Sequence, residues 1–256
     1  MVVLYVGSLL SLFLTSMYRL SDDGSRVEHV IGAENYQEIV DKSVYLTVAL
    51  RTIKVAACVT LIDLVLALPI AFYMAKVATA RWRGLLVASV LVPLWGSYLV
   101  KAFAWRSIVG KPGGLLTAVS PTLSPGYGQI ALVVVLAYLW LPFMIIPIYS
   151  GLERLPDSLL DASSDLGARF GVTFRSIVIP TLVPSIVAGS VFTFSLSLGD
   201  YIAVSLVGGK TQMIGSIVYS NFASNLPLAS AYAVVPVVIM VIYLVAIRRT
   251  GALENL

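Results

Sequence analysis

The stretch Ser158–Pro180, SLLDASSDLGARFGVTFRSIVIP, interrupts a chain that is otherwise strongly apolar. It carries Asp161, Asp165, Arg169 and Arg175 around a glycine at Gly167. Pro156 and Asp157 ahead of it read as a helix start, since proline is tolerated in the first turn and acidic groups favour the positive end of the helix dipole. Leu159, Ala162 and Leu166 fall at i, i+3 and i+7 and give one apolar stripe. Gly167 follows the last of them as a C-terminal stop. Thr173 is placed to cap a second short helix, FRSIVI, that meets Pro180 and feeds the next apolar run. The expected element is helix, glycine turn, helix. So short an apolar stripe suits a groove on a partner protein. The competing reading is an interfacial helix resting on lipid headgroups, or an ordinary loop helix.

The surroundings of this stretch define the class of protein. Of 256 residues, 59% are hydrophobic and 12% charged. Soluble domains carry about a quarter charged residues, and a soluble fold has nowhere to put this much apolar surface. An all-α integral membrane protein is expected, with one transmembrane domain over 1–256. A span needs roughly 20 mostly apolar residues. Six segments approach this: Val2–Tyr18, Val55–Ala75, Leu85–Ala104, Gln129–Tyr149, Ile179–Leu198 and Ala229–Ile247. The first is short, so either the start lies upstream or neighbouring helices complete it. It lacks a basic n-region and an A-x-A site, which favours an uncleaved span over a signal peptide. A single cysteine, Cys58, excludes an intramolecular disulfide framework, and a single histidine, His29, excludes paired-histidine metal motifs. Both read as ordinary residues, Cys58 of the core and His29 of a loop. No metal site and no nucleic-acid partner are expected, since no basic run is present.

The loops give an orientation. Segments 76–84, 151–178 and 248–256 hold Lys76, Arg81, Arg83, Arg154, Arg169, Arg175, Arg248 and Arg249. The longer segments 19–45, 105–128 and 200–228 hold only Arg19, Arg26, Lys42, Arg106, Lys111 and Lys210. The denser positive group belongs in the cytoplasm, which puts both termini and the 151–178 loop there. The acidic 19–45 loop, with Asp22, Asp23, Glu28, Glu34, Glu38 and Asp41, would face outward. Tyr18, Trp82, Trp105, Tyr127, Tyr149 and Tyr201 cluster near span ends, as interfacial aromatic residues do.

The charged stretch resembles the cytoplasmic EAA loop of ABC importer permeases. That pattern is a glutamate and two alanines, a glycine after three more residues, then Ile-x-Leu-Pro after a further nine. Here it reads Asp161-Ala162-Ser163, Gly167, then Ile177-Val178-Ile179-Pro180 in the same register. Aspartate replaces glutamate, serine an alanine and isoleucine a leucine. Four further stretches resemble permeases of the spermidine/putrescine branch: ENYQEIV (34–40), VPLWGSYLVKAFAWRSIVG (92–110), YLWLPFMIIPIYSGLERLPDSLLDAS (138–163) and SLGDYIAVSLVGGKTQMIGSIVYSNF (197–222).

The resemblance implies a type I importer permease fold in the bacterial inner membrane, with the short helix acting as a coupling helix. Leu159, Asp161, Ala162, Ser163, Asp165, Leu166, Gly167, Ala168 and Phe170 would then meet a cytoplasmic ATP-binding cassette subunit, present in two copies. A second, non-identical permease subunit and an extracytoplasmic solute-binding protein would complete the importer, with lipid around the spans. The solute implied is a polyamine; another small polar solute, such as an opine, an amino-acid derivative or iron, is the alternative. ATP and magnesium would be used by the partner. This chain has no GxxxxGK[ST] and would bind no cofactor itself.

Asp63 lies inside the second span, where a carboxylate costs at least a few kcal/mol and is a functional hypothesis by default. It either lines a path or pairs with a polar group on another helix or on the second permease. Trp95, Tyr98, Trp140, Asp200 and Tyr201 are the other path candidates, Asp200 being equally readable as a helix-end turn residue. Lys101 reads as snorkelling to the interface. Two other function classes remain open on residues alone. A stand-alone secondary transporter needs coupling residues in the spans, and Asp63 is the only carboxylate deep in one. A membrane-embedded enzyme needs a catalytic constellation, and none is visible.

Overall fold

A helix satisfies its backbone polar groups internally, so a chain this apolar can enter lipid only as helices. The computed structural model describes residues 2–21, 24, 26–110, 113–120, 122 and 124–248. The charges counted above at Asp22, Asp23, Lys111 and Arg249 lie outside the described residues. In chain order the elements are α1 (Val2–Ser16), β1 (Arg19–Leu20), β2 (Val27–Glu28), α2 (Glu34–Asp41), α3 (Ser43–Phe72) and a π-helical turn (Tyr73–Val77). Then follow α4 (Ala80–Trp95), α5 (Tyr98–Val109), α6 (Leu115–Val119), α7 (Gln129–Arg154) and α8 (Asp157–Asp165). The chain continues with α9 (Phe170–Thr173), a second π-helical turn (Phe174–Val178), α10 (Ile179–Gly199), α11 (Ile202–Val207), α12 (Ile214–Asn221) and α13 (Leu226–Arg248). The two strands are two residues each and pair antiparallel, Arg19 with Glu28 and Leu20 with Val27.

Among the described residues, four runs are long and apolar enough to cross a membrane: Ser43–Val77, Gln129–Arg154, Phe170–Gly199 and Leu226–Arg248. The pair Ala80–Trp95 and Tyr98–Val109 makes a fifth if its two helices count as one broken span. α1 is shorter, at 15 residues.

Three boundaries depart from the sequence expectation. The helix expected from 55 begins at Ser43 and carries Arg51 and Lys54 within it. The span expected over 85–104 is bent by 95° between Trp95 and Tyr98. Pro93 removes a backbone donor just above this break, and Gly96 is extended at φ −67°, ψ 140°. The helix ahead of Pro180 starts at Phe170 rather than after Thr173, with extended Arg169 as its N-cap. It then runs through the second π turn directly into α10. Pro180 offers no N–H to the ladder and its ring crowds the turn before it, where the backbone widens to π geometry.

The chain forms two compact units. Unit 1 holds Met1–Ala56, Ala102–Val133 and Ser197–Ile242; unit 2 holds Ala57–Lys101, Val134–Leu196 and Tyr243–Leu256. In unit 1, Ile39, Val48, Ile214, Leu228, Ala231 and Tyr232 form the buried cluster. The Tyr232 hydroxyl donates to the Tyr45 carbonyl at 2.7 Å, and the Thr52 hydroxyl accepts from the Ile214 N–H at 3.0 Å. In unit 2, Ala67, Met74, Met144, Ile148, Leu152 and Leu182 are among the buried residues of the second cluster. Cys58 is exposed rather than part of a core, and His29 stacks on Tyr18 with ring centroids 4.7 Å apart.

Lipid tails are as apolar as leucine, so these helices adhere by close packing of small residues. A Cβ on Gly189 would stand 2.7 Å from Met144 Sδ, and one on Gly215 only 2.6 Å from the Gly199 carbonyl and 2.7 Å from that of Asp200. At Gly215 the neighbours are backbone and cannot swing aside. Gly215→Ala should therefore destabilise the chain by about 1–3 kcal/mol, as overpacking does, and lower its detergent melting temperature. Gly84→Ala, which meets nothing within 4 Å, should hold or raise it.

Candidate functional site

The 151–178 segment forms the expected helix, glycine turn and helix, all within unit 2. Gly167 has φ +75°, the left-handed region that suits glycine. Its N–H donates to Ser164 O at 2.8 Å, and the Ala168 N–H donates to Ser163 O at 3.1 Å. These two bonds close the end of α8 as a Schellman motif. Ser163, which replaces the second alanine of the resemblance, is buried. Its hydroxyl lies 2.7 Å from that of Thr173, tying α8 to α9. Thr173 is thus a cross-tie inside a helix, not the cap expected of it.

At the other end of α8, Lys76 Nζ donates to Asp157 Oδ1 at 2.6 Å and to the Leu155 carbonyl at 2.6 Å. The Lys76 ammonium holds the Asp157 carboxyl below its usual range, first by this hydrogen bond and then by its charge. Leu160 and Phe174 pack on the unit 2 cluster. The Phe72 ring meets Phe170 and Phe174 edge-on at 5.6 and 5.9 Å.

The inward side of this hairpin is therefore braced, and the outward side is bare. Leu159, Asp161, Ala162, Asp165 and Gly167 are exposed; Ala168 is half-buried. Leu166 is 88% exposed and Phe170 67%. Of the nine coupling candidates, only Ser163 faces the interior. Leu159 and Leu166 of the stripe inferred from spacing stand uncovered among the described residues.

The path candidates fall into separate groups. Tyr201, in unit 1, stacks on Tyr219 with centroids 4.6 Å apart and planes 16° apart. With Phe222, Gly215, Val218 and Pro236 they line an open cavity of about 480 Å³. Asp200 is buried; its Oδ1 accepts the Ala203 N–H at 2.8 Å and opens α11. The helix-end reading of Asp200 is the one this bond fits. In unit 2, Tyr98 stacks on Trp140 at 5.7 Å, and Phe143 and Phe192 extend the aromatic row. Trp95, at the lip of the bend, is 89% exposed. The Lys101 Nζ donates to the Pro93 carbonyl at 3.0 Å, a group orphaned by the end of α4. Asp63 is 0% exposed, and neither carboxylate oxygen has a hydrogen-bond partner among the described residues.

Sequence reasoning missed Lys76, Thr173, Tyr219 and Phe222 as site residues. Tyr219 and Phe222 stand at i, i+3, a one-face signal that was available. Nothing in the sequence joins Lys76 to a carboxylate 81 positions away.

A set of long apolar helices presenting a short, braced and outwardly apolar helix–glycine–helix is the architecture of an importer's membrane subunit. The chain belongs to the family of binding-protein-dependent transport system inner membrane components, which it matches over residues 56–251. It is 39% identical to the inner membrane ABC transporter permease protein YdcU of Escherichia coli, over 99% of this chain and 87% of that protein. It is 30% identical to the spermidine/putrescine transport system permease protein PotB of Haemophilus influenzae, over 96% of this chain and 88% of that one. A bacterial alginate ABC transporter, solved in complex with an alginate pentasaccharide-bound periplasmic protein, has a similar fold. The TM-score is 0.73 at 13% identity, covering 96% of this chain and 88% of that one. The protein is thus a multi-pass permease component of a binding-protein-dependent ABC importer of the inner membrane. The stand-alone transporter and the membrane enzyme give way to it.

Asp157 is held below its ordinary value of 3.8, so its pair with Lys76 is fully present above that value. The pair is lost as pH falls through the lower, folded value. Amide exchange in 156–166 should accelerate below about pH 4, and in Asp157→Asn at all pH values. Separately, Gly167→Ala should destabilise the α8 end by about 1–2 kcal/mol, the penalty of a left-handed residue with a side chain. The same exchange measurement, made at neutral pH, reports it.

Proposed function

We infer that the chain is one of two non-identical permease subunits that together enclose a path for a small cationic solute of the polyamine class. Two copies of an ATP-hydrolysing subunit dock beneath, one of them on the α8–α9 hairpin, and a solute-binding protein delivers from outside. Both termini and the hairpin face the cytoplasm, on the asymmetry of lysine and arginine between loops. The observation that carries this reading is the hairpin itself: Leu159, Leu166 and Phe170 are exposed on a helix whose inner side is fastened at both ends. A rigid apolar ridge of this kind is what a groove on a partner recognises at i, i+3 and i+7. ATP binding closes the ATPase pair and pushes the hairpin; hydrolysis releases it.

The solute class is supported by the PotB relatives, whose names record spermidine and putrescine. It is supported also by aromatic faces at Tyr201, Tyr219 and Phe222, which attract ammonium groups by about 0.5–2 kcal/mol each. Tyr98, Trp140 and Trp95 would offer the same in unit 2. Asp63, closed at 0% exposure, would meet solute only when the helices part. Asp200 would add its charge beside Tyr201 while its backbone role is kept.

Co-purification and uptake test this together. The chain expressed with its neighbours should bring down an ATPase, and proteoliposomes should take up radiolabelled spermidine or putrescine only with ATP and the binding protein. Leu166→Asp should weaken ATPase attachment by about 2 kcal/mol, near 30-fold, as the loss of an interface anchor does. Gly167→Asp should abolish transport. An ATPase that never co-purifies, with transport intact in Gly167→Asp, would sink the coupling reading. Uptake of neither polyamine would sink the solute. Asp63→Asn leaving uptake of every accepted cation unchanged would remove Asp63 from the path.

A further inference from the structure

Helix α8 is held by two polar ties, one ending within a π-helical turn and the other immediately before one. Lys76 sits inside Tyr73–Val77; Thr173 immediately precedes Phe174–Val178. Single π turns recur at functional positions in helices. The two ties differ in reach. The Ser163–Thr173 pair spans ten residues and holds the hairpin to itself. The Lys76 tie spans 81 residues and joins α8 to a helix that is not its chain neighbour.

The Lys76 side chain is 10% exposed, while that of Asp157 is 78% exposed. A lysine kept only for topology extends its head to water; this one turns inward. It takes the Leu155 carbonyl, which the end of α7 leaves without a helical partner. Arg83 clamps the same π turn from α4, with Nη2 2.9 Å from the Ala75 carbonyl. Beside this tie, Leu160 packs on the apolar cluster, and Phe72 of α3 meets Phe170 and Phe174 through ring contacts. Apolar faces slide over one another at little cost. A doubly hydrogen-bonded ammonium does not.

We propose that Lys76 is a positioning residue of the transport cycle, fastening α8 to the end of α3 so that displacement of the hairpin reaches α3 and not only α7 and α10. This rests on the reading of the hairpin as the coupling element.

The test uses the complete transporter in lipid nanodiscs with Cys58→Ala. Spin labels go on Leu66→Cys in α3 and Ser164→Cys in α8, both exposed positions. Pulsed distance measurements are made without nucleotide and after trapping with ATP and vanadate. With Lys76 present, the Leu66–Ser164 distance stays the same in both states. In Lys76→Met it should match that distance without nucleotide, then lengthen and broaden on trapping by about 5 Å, one helical turn. Lys76→Arg should restore the fixed distance, and Asp157→Ala should give a smaller shift, since the Leu155 carbonyl arm remains. Identical distances in Lys76→Met and the parent after trapping overturn the proposal. So does a full shift before nucleotide is added, which marks a folding role alone. Failure of the underlying reading looks different: the Ser164 label in the parent complex then keeps its mobility when the ATPase binds, and the proposal falls with it.

Discussion

Lipid supplies no hydrogen-bond partner, so every place where a spanning helix stops or bends must find its own. This chain meets the demand with side chains that reach back to orphaned carbonyls. Lys101 takes Pro93 O at the 95° bend, Lys76 takes Leu155 O at the end of α7, and Arg83 takes Ala75 O in the first π turn. Asn35 does the same for Ser16 O and Tyr18 O at the end of α1. Three of these four donors are cations, and all serve the negative end of a helix dipole, where a positive charge is favoured. Charges that look like topology markers in the sequence are also the fasteners of the fold.

The same rule separates two kinds of exposed apolar surface. Along α3, Leu61, Val65 and Leu66 are exposed in a run free of charge other than buried Asp63, as a lipid-facing surface should be. On α8 and at its C-cap, exposed Leu159 and Leu166 flank Asp161 and Asp165, which are also exposed. Anionic carboxylates are unwelcome against the negative surface of a cytoplasmic leaflet. An apolar stripe edged with aspartates fits a protein groove better than headgroups.

Much of this was legible from residues one to seven positions apart. Gly167 as a stop, the 3.6-residue stripe on α8 and the apolar runs depend on local geometry, and the sequence carries local geometry openly. The errors came from interactions across the fold. Thr173 looks like a cap because threonine caps helices, yet its hydroxyl is drawn to Ser163 and the helix begins four residues earlier, at Phe170. The apolar run marks only Val55–Ala75, but α3 begins at Ser43 and extends well beyond its apolar core. The span over 85–104 reads as continuous because no apolarity is lost at Gly96-Ser97; only the paired effect of Pro93 and Gly96 breaks it. Nothing local to Lys101 signals that Pro93 O would need it as a donor.

Asp200 and Gly215 show how residues can set an aromatic surface to which they add no ring. The carboxylate of Asp200 opens α11 by accepting the Ala203 N–H, which fixes where Tyr201 leaves the backbone. Gly215 lets α12 lie against the Gly199 and Asp200 carbonyls, closer than any side chain permits. That approach brings Tyr219, one turn further along α12, flat against Tyr201. The parallel pair of rings is therefore set by a cap on one side and by the lack of a Cβ on the other. A polar side chain and an absent one together position an aromatic surface that neither forms.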